Sequence, residues 1–136
     1  MKNSRKGKVD VSALRHPPEK HEYETAKFFA DRGLVVTFIR PTNIEGQNNP
    51  DFEMSGKIWE TKSLTTNEVA TVKRRLNSAA KQSPHIIMDL RRVKPGYENQ
   101  LIKALIRKSK SPNIKTLVII KRDNNLLTLK GRFDIM

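Results

Sequence analysis

Apolar residues recur every three to four positions in three segments of this chain, a spacing typical of helices that bury one face. The first predicted helix covers residues 17–33, because prolines favour its first turn and a glycine its C-terminal end. Thr65 and Glu68 have the spacing of a capping box, which predicts that the second helix begins there. The third helix is predicted over residues 97–110, after a Pro-Gly pair.

Short runs of β-branched and aliphatic residues predict strands at residues 34–39, 51–54, 57–62, 85–90, 116–121 and 126–130. Ser55-Gly56 is suited to a two-residue hairpin turn between the second and third of these strands. The order of elements, α-β-β-β-α-β-α-β-β, predicts an α/β fold with a mixed central sheet flanked by helices. Residues 1–15 lack a sustained period and are expected to be a basic arm or linker, which leaves residues 16–136 as a single domain.

The composition excludes several classes of protein. The chain has 136 residues and no cysteine, so we expect one domain without disulfides or cysteine-bound zinc. No apolar run reaches the ~18 residues that a membrane span requires, and the polar, basic start is not expected to act as a signal peptide. The 27 basic and 14 acidic residues give a formal net charge of +13, which favours a polyanionic partner such as nucleic acid.

That charge is distributed unevenly. Residues 1–50 carry 9 basic and 6 acidic side chains, residues 51–68 carry 2 and 4, and residues 69–136 carry 16 and 4. A module that only grips phosphates has no need of an acidic segment, whereas an enzyme that holds a divalent cation beside a polyanion does. The pattern therefore favours an enzyme that acts on nucleic acid.

The acidic segment contains the residues with the clearest chemistry. If Ser55-Gly56 is a two-residue turn, Asp51 lies opposite Glu60, and strand alternation places Lys62 on the same face as Glu60. Opposed carboxylates repel each other, and a magnesium ion removes the conflict by binding them together with water and substrate phosphate. A lysine beside such an ion can orient the attacking water or neutralise charge on the phosphate. Exposed hairpin charges without a function are the alternative explanation.

Glu22 is a third acidic candidate. It precedes Ala26 and Phe29 by one and two helical turns, which places it toward the buried side of the first helix. A carboxylate in that position needs a partner. A first-turn glutamate is also favoured by the helix dipole alone, and that explanation stays open.

The segments Pro50-Asp51 and Glu60-Thr61-Lys62 resemble the namesake motif of the PD-(D/E)xK nuclease superfamily, whose restriction-endonuclease-like fold has an αβββαβ core. Glu22 and the apolar residues after it are similar to the first helix of that superfamily, and the resemblance covers about residues 18–92. The run NPDFEMSGKIWETKSL, the basic second helix and the run HIIMDL look most like the C-terminal tRNA-nuclease toxin domain of contact-dependent growth-inhibition (CdiA) proteins. This narrower resemblance extends to about residue 130.

The resemblance implies a catalytic site formed by Glu22, Asp51, Glu60 and Lys62, in which the three carboxylates hold Mg²⁺ or Mn²⁺. It further implies hydrolysis of tRNA in the cytoplasm of a target bacterium, after delivery as part of a larger secreted toxin protein. A cognate immunity protein would block the activity, and the basic charge of the chain suggests that this partner is acidic. The need for a host activating protein stays open.

Basic residues after the acidic segment are candidates for gripping the nucleic-acid backbone, although a solvated charged face is the alternative explanation. They are Lys73, Arg74, Arg75 and Lys81 on the second helix, and Arg91 and Arg92 after the following strand. The three histidines show no metal-ligand spacing; His21 adjoins Glu22 and could approach the predicted site, but an exposed histidine at the start of the helix is the favoured explanation. Thr61 is expected to contribute no more than its backbone carbonyl to a metal, and Trp59 is expected to lie in the core.

Two other functions stay open at this point. The first is a DNA endonuclease or junction resolvase, because the motif specifies a chemistry and does not name the sugar. The second is a non-catalytic basic module that binds nucleic acid. An RNase could also act without a metal, through the ribose 2′-hydroxyl.

Overall fold

The computed structural model describes residues 7–42, 44 and 49–133. Within these ranges the chain forms ten elements, in an order that contains the predicted α-β-β-β-α-β succession. They are β1 (Lys8–Asp10), α1 (Lys20–Ala30), β2 (Val35–Phe38), β3 (Phe52–Met54), β4 (Lys57–Ser63), α2 (Val69–Gln82), β5 (His85–Asp89), α3 (Glu98–Lys108), β6 (Thr116–Ile120) and β7 (Leu126–Lys130).

The seven strands of the described residues form one mixed sheet, in which they lie side by side in chain order. The pairs β1–β2, β4–β5 and β5–β6 are parallel, and the remaining pairs are antiparallel. Parallel neighbours need a crossover connection, and α1, α2 and α3 are the connections of these three pairs. The predicted mixed sheet flanked by helices is therefore confirmed.

The core lies in two layers, one on each face of the sheet. Phe29 of α1 packs in one cluster with Trp59, Ile87 and Val118, whereas residues of α2 and α3 form the other cluster with Ile86 and Met88. Neighbouring residues of β5 thus point to opposite faces, as strand alternation requires. Trp59 is fully buried, which confirms its predicted place in the core.

The hairpin that carries the predicted chemistry has the predicted register. Phe52 pairs with Trp59 and Met54 with Lys57 in the β3–β4 ladder. Ser55 and Gly56 both have positive φ angles, 54° and 76°, which is the backbone that a two-residue turn of this kind needs.

Two details differ from the sequence-based expectations. Part of the predicted basic arm forms β1, where Lys8 donates a backbone hydrogen bond to Leu34; three residues are too few to show a period. The prediction of a capping box at Thr65 and Glu68 is wrong, because α2 begins at Val69 and Glu68 makes no side-chain cap. The hydroxyl of Thr66 instead accepts a hydrogen bond from the Glu68 amide, a local turn that competes with helix initiation. Residues 1–6 and 134–136 lie outside the described residues.

Candidate functional site

The fold brings the four predicted catalytic residues together at one end of the hairpin. Glu22 lies in the first turn of α1, Asp51 directly precedes β3, and Glu60 and Lys62 belong to β4. Glu22 and Asp51 line a cleft of about 750 Å³. Glu22, Glu60 and Lys62 line a second cleft of about 370 Å³. Glu22 therefore stands where the two clefts adjoin, and the site is an acidic centre open on two sides.

Asp51 is held in place by Thr61. The regular β3–β4 ladder ends at the Phe52–Trp59 pair, and the Asp51 amide donates to the carbonyl of Trp59 at 2.9 Å instead of continuing the register toward Glu60. The Oδ2 atom of Asp51 accepts hydrogen bonds from the Thr61 amide at 2.8 Å and from the Thr61 hydroxyl at 2.9 Å. The predicted direct opposition of Asp51 and Glu60 is therefore wrong, and Asp51 is instead bonded by the next residue of β4, Thr61, through its amide and its hydroxyl.

Glu60 is almost fully buried, with 5% of its surface exposed. Its Oε2 atom forms an ion pair with the Nζ atom of Lys62 at 3.2 Å, which confirms that the two side chains share a face. Its Oε1 atom is buried and has no hydrogen-bond partner among the described residues. A buried carboxylate oxygen without a partner is unfavourable unless something outside the chain binds it.

The acidic centre holds protons unusually tightly. Burial, followed by the charge of Asp51, raises the pKa of Glu22 to about 7. Burial and the charge of Asp51 also raise the pKa of Glu60 to about 7, and Lys62 only partly offsets this. Burial raises the pKa of Asp51 as well, against its hydrogen bonds from Thr61. Glu22 and Asp51 share a hydrogen bond that favours the proton on Glu22.

A divalent cation fits this donor set. Carboxylate oxygens are the ligands that magnesium prefers, and the unpartnered oxygen of Glu60 would gain a partner. No group of three or more His, Asp or Glu side chains in the described part of the chain stands as a ready metal cluster. The arrangement suits an ion that takes one or two carboxylates and completes its shell with water and phosphate oxygens.

The predicted phosphate-gripping residues divide into three groups. Arg75 and Arg92 line the 370 Å³ cleft beside Glu60 and Lys62. Arg91 points to a neighbouring cleft, where it pairs with Asp89 at 2.7 Å. Lys73, Arg74 and Lys81 lie on α2 and do not line these clefts.

Several residues of the site escape sequence reasoning. Arg15, His16 and Arg40 line the 750 Å³ cleft, on the side of the acidic centre away from Arg75. Their only sequence signal is a basic side chain within two positions of a proline, which is too common to single them out. His21 lines the smaller cleft, and its Nδ1 atom lies 3.5 Å from a carboxylate oxygen of Glu24.

A family model described as "Contact-dependent growth inhibition CdiA C-terminal domain" matches residues 47–126. This is more than half of the chain, which therefore belongs to that family and is a contact-dependent growth-inhibition domain. The match includes Asp51, Glu60 and Lys62, and Glu22 precedes it. The predicted relation to CdiA C-terminal domains is confirmed.

A solved structure, described as the CdiA-CT/CdiI toxin and immunity complex from Burkholderia pseudomallei, is similar to this chain with a TM-score of 0.62. The similarity covers 90% of this chain and 98% of that chain at 20% identity, so it shows a shared fold. No curated protein sequence matches the chain. The family is one of C-terminal domains, which confirms the expectation of a domain delivered within a larger toxin protein. None of the described helices is long and apolar enough to cross a bilayer.

Proposed function

We propose that this CdiA C-terminal domain is a toxin nuclease of PD-(D/E)xK type that hydrolyses tRNA in the cytoplasm of a target bacterium. The observation that carries the proposal is that three buried or half-buried carboxylates, those of Glu22, Asp51 and Glu60, line two adjoining clefts, one of which also contains Lys62. Burial and mutual repulsion raise the pKa of Glu22 and Glu60 to about 7, an arrangement that packing alone does not favour. Strongly perturbed carboxylates in a cleft are typical of catalytic centres.

The surroundings of the acidic centre support a nucleic-acid substrate. Arg75 and Arg92 line the cleft on one side of Glu22, and Arg15 and Arg40 line the cleft on the other side. A phosphate backbone crossing the centre would thus meet cations before and after the scissile bond. The choice of tRNA rests on the resemblance to CdiA nuclease domains, and DNA hydrolysis would use the same residues.

The acidic residues of the site would have different roles in binding the metal. Asp51 and Glu60 would bind Mg²⁺ or Mn²⁺, and Glu22 would complete the site directly or through water. When bound, the ion supplies positive charge against the scissile phosphate and makes water more nucleophilic.

The protein side chains prepare that chemistry by fixing the acids. Thr61 holds one oxygen of Asp51 with two hydrogen bonds, so that carboxylate keeps a single orientation. The Lys62 ammonium holds Glu60, and its side chain is still 19% exposed, so it also faces incoming phosphate. Lys62 would neutralise charge that builds on the phosphate or orient the attacking water.

The partner of this domain is proposed to be an acidic immunity protein. The similar structure from Burkholderia pseudomallei is a toxin and immunity complex, and this chain carries a net charge of +13. Complementary charge speeds association between such partners. A host activating protein would be a further partner if the isolated domain needs one for cleavage.

The decisive experiment is cleavage of purified tRNA with and without Mg²⁺, followed by mapping of the 3′ ends. We expect Glu60→Gln and Lys62→Ala each to slow cleavage by about 100-fold or more, because the first removes a charged ligand of the metal and the second removes the cation that faces the reacting phosphate. Glu53→Gln is the matched control, since Glu53 is an exposed carboxylate of the same hairpin.

Plasmid DNA and a branched duplex are incubated in parallel. Cleavage of DNA but not tRNA would identify a DNA endonuclease on the same fold. Full activity in excess EDTA would favour the route through the ribose 2′-hydroxyl. Wild-type rates in Glu60→Gln would contradict the proposed site.

A further inference from the structure

A third cleft, of about 480 Å³, lies beside the proposed active site and has no role in the chemistry described above. It opens between the C-terminal end of α1 and the C-terminal ends of β4 and β5. The ring of Phe28 lines it together with four basic and three acidic side chains: Lys27, Arg32, Arg91, Arg92, Glu24, Asp31 and Asp89.

Two of these cations form no ion pair with an acidic side chain among the described residues, although the charge of Asp31 acts on Arg32. Arg32 donates to the carbonyls of Phe28 at 2.9 Å and of Asn124 at 3.3 Å, both neutral acceptors. Arg92 donates to the hydroxyl of Ser63 at 3.0 Å. Lys27, by contrast, is paired with Asp31 at 3.1 Å. Arg32 and Arg92 therefore retain their charge for something outside the chain.

Two of the guanidinium groups lie near the same aromatic ring. Arg32 stacks on the Phe28 ring with its Cζ atom 3.4 Å from the ring centroid, and the Cζ atom of Arg91 lies 5.0 Å from the same centroid. Burial, and then the charge of Arg91, lowers the pKa of Arg32. An anion bound in this cleft would offset the repulsion between the two charges. Stacked, fixed guanidinium groups suit the planar, bidentate recognition of phosphate.

This basic cleft is continuous with the proposed active site. Ser63 and Arg92 line both this cleft and the one that contains Glu60 and Lys62. Ser63 directly follows Lys62 in β4 and pairs with Asp89 of β5, so this end of β4 borders both clefts. A polyanion bound at Lys62 would extend past Arg92 into the basic cleft, because Arg92 lines both clefts.

We propose that Arg32, Arg91 and Arg92 form a phosphate subsite that binds the substrate strand beside the scissile bond. Its ligand is the sugar-phosphate backbone of a nucleic acid, an identification that rests on the proposed nuclease function. The side chains reach only the backbone, so the subsite fixes the path of the strand and not its sequence. Arg91 keeps Asp89 as a partner and serves mainly to hold the cluster in place, while Arg32 and Arg92 supply the uncompensated charge.

The test is equilibrium binding of fluorescein-labelled tRNA, measured by anisotropy in EDTA, with Glu60→Gln in every protein so that no strand is cut. Replacing Arg32 and Arg92 together by Gln should raise Kd about tenfold or more and reduce the slope of log K against log salt by about 1 to 2. Arg107→Gln, an exposed arginine on α3, is the matched control and should change Kd less than twofold.

Arg32 also contacts the end of α1, so a second pair of variants separates charge from folding. Arg32→Lys with Arg92→Lys keeps both charges and should restore most of the salt slope. Thermal unfolding verifies that each protein is folded at the temperature of the assay.

If the protein with both Arg32→Gln and Arg92→Gln has the same Kd and salt slope as Arg107→Gln, the proposed subsite is wrong. This holds even if the double variant binds an acidic protein more weakly. If this double variant binds tRNA more weakly but the wild-type protein cleaves no nucleic acid, the subsite is upheld. The proposed nuclease function is then contradicted.

Discussion

Two carboxylates are buried on neighbouring strands, and they differ in how completely their oxygens are bonded. Asp89 of β5 is 3% exposed, and Glu60 of β4 is 5% exposed. Both oxygens of Asp89 are satisfied, since Arg91 donates to Oδ1 and Oδ2 and the Thr25 hydroxyl donates to Oδ2 at 2.9 Å. Glu60 has one ion pair with Lys62, and its second oxygen has no partner among the described residues.

The difference separates a residue that builds the fold from one that serves the site. Asp89 ties α1 to the end of β5 through Thr25, which lies one helical turn after Glu22. Glu60 is left with an unsatisfied oxygen and a pKa raised to about 7, mainly by burial. A completed network stabilises the native state, whereas an incomplete one is unfavourable until a ligand binds it.

The largest expected effect comes from neutralising each acid in turn. Asp89→Asn should lower the free energy of unfolding by about 3 kcal/mol, because it leaves the guanidinium of Arg91 unpaired in a partly buried place. Glu60→Gln should leave stability equal or higher, because it removes a repelled charge, while the rate of tRNA cleavage falls about 100-fold or more. Urea unfolding and the cleavage assay measure the two effects.

Glu53→Gln serves as control in both assays, since that exposed carboxylate of β3 should change neither. A Glu60→Gln protein that loses stability as Asp89→Asn does would show that both acids are structural, and the comparison would fail.

A smaller effect is expected from pH. The pKa of Glu60 is about 7 in the folded chain against an ordinary 4.5, so the folded state binds the proton more tightly than the unfolded state. The stability from this proton is complete below pH 4.5 and is lost as the pH rises through 7. Unfolding free energy should therefore fall by about 2 kcal/mol between pH 5.5 and 8.

Mg²⁺ should restore part of this loss at pH 8, because it binds the ionised carboxylates of the folded state. The measurement is the difference between wild type and Glu60→Gln in urea at both pH values, which cancels the other titrating groups. An identical pH slope in the two proteins would remove Glu60 from the explanation.

The smallest expected effect concerns the hydroxyl that holds Asp51. Thr61→Val keeps the amide donor and the shape of the side chain but deletes the 2.9 Å hydrogen bond from Oγ1. Cleavage should slow by about five- to tenfold, with a stability change within about 1 kcal/mol. Thr61→Ser restores the donor and should recover most of the rate. If the rates of Thr61→Val and wild type agree, the amide alone orients Asp51.

Much of the site was predictable because it lies in one hairpin. Alternation along a strand is local, so the sequence alone placed Glu60 and Lys62 on one face and Trp59 in the core, and both predictions are confirmed. The register followed from Ser55-Gly56, whose short turn admits one pairing. The hydrogen bonds from Thr61 to Asp51 were missed because the ladder departs from its regular course at Asp51.

The chain by itself determined which residues share a strand face or a helical stripe, because those periods depend only on neighbouring positions. It also determined the basic charge and the acidic segment within it. Only the tertiary structure decided which carboxylate would have all its hydrogen-bond partners. Asp89 is bonded by Arg91, which is nearby in the sequence, and by Thr25, which is 64 residues away. The same holds for Arg32 and Arg92, which meet at one cleft because α1 packs over the ends of β4 and β5. Contacts between distant segments depend on how the layers pack, and no local pattern in the sequence records them.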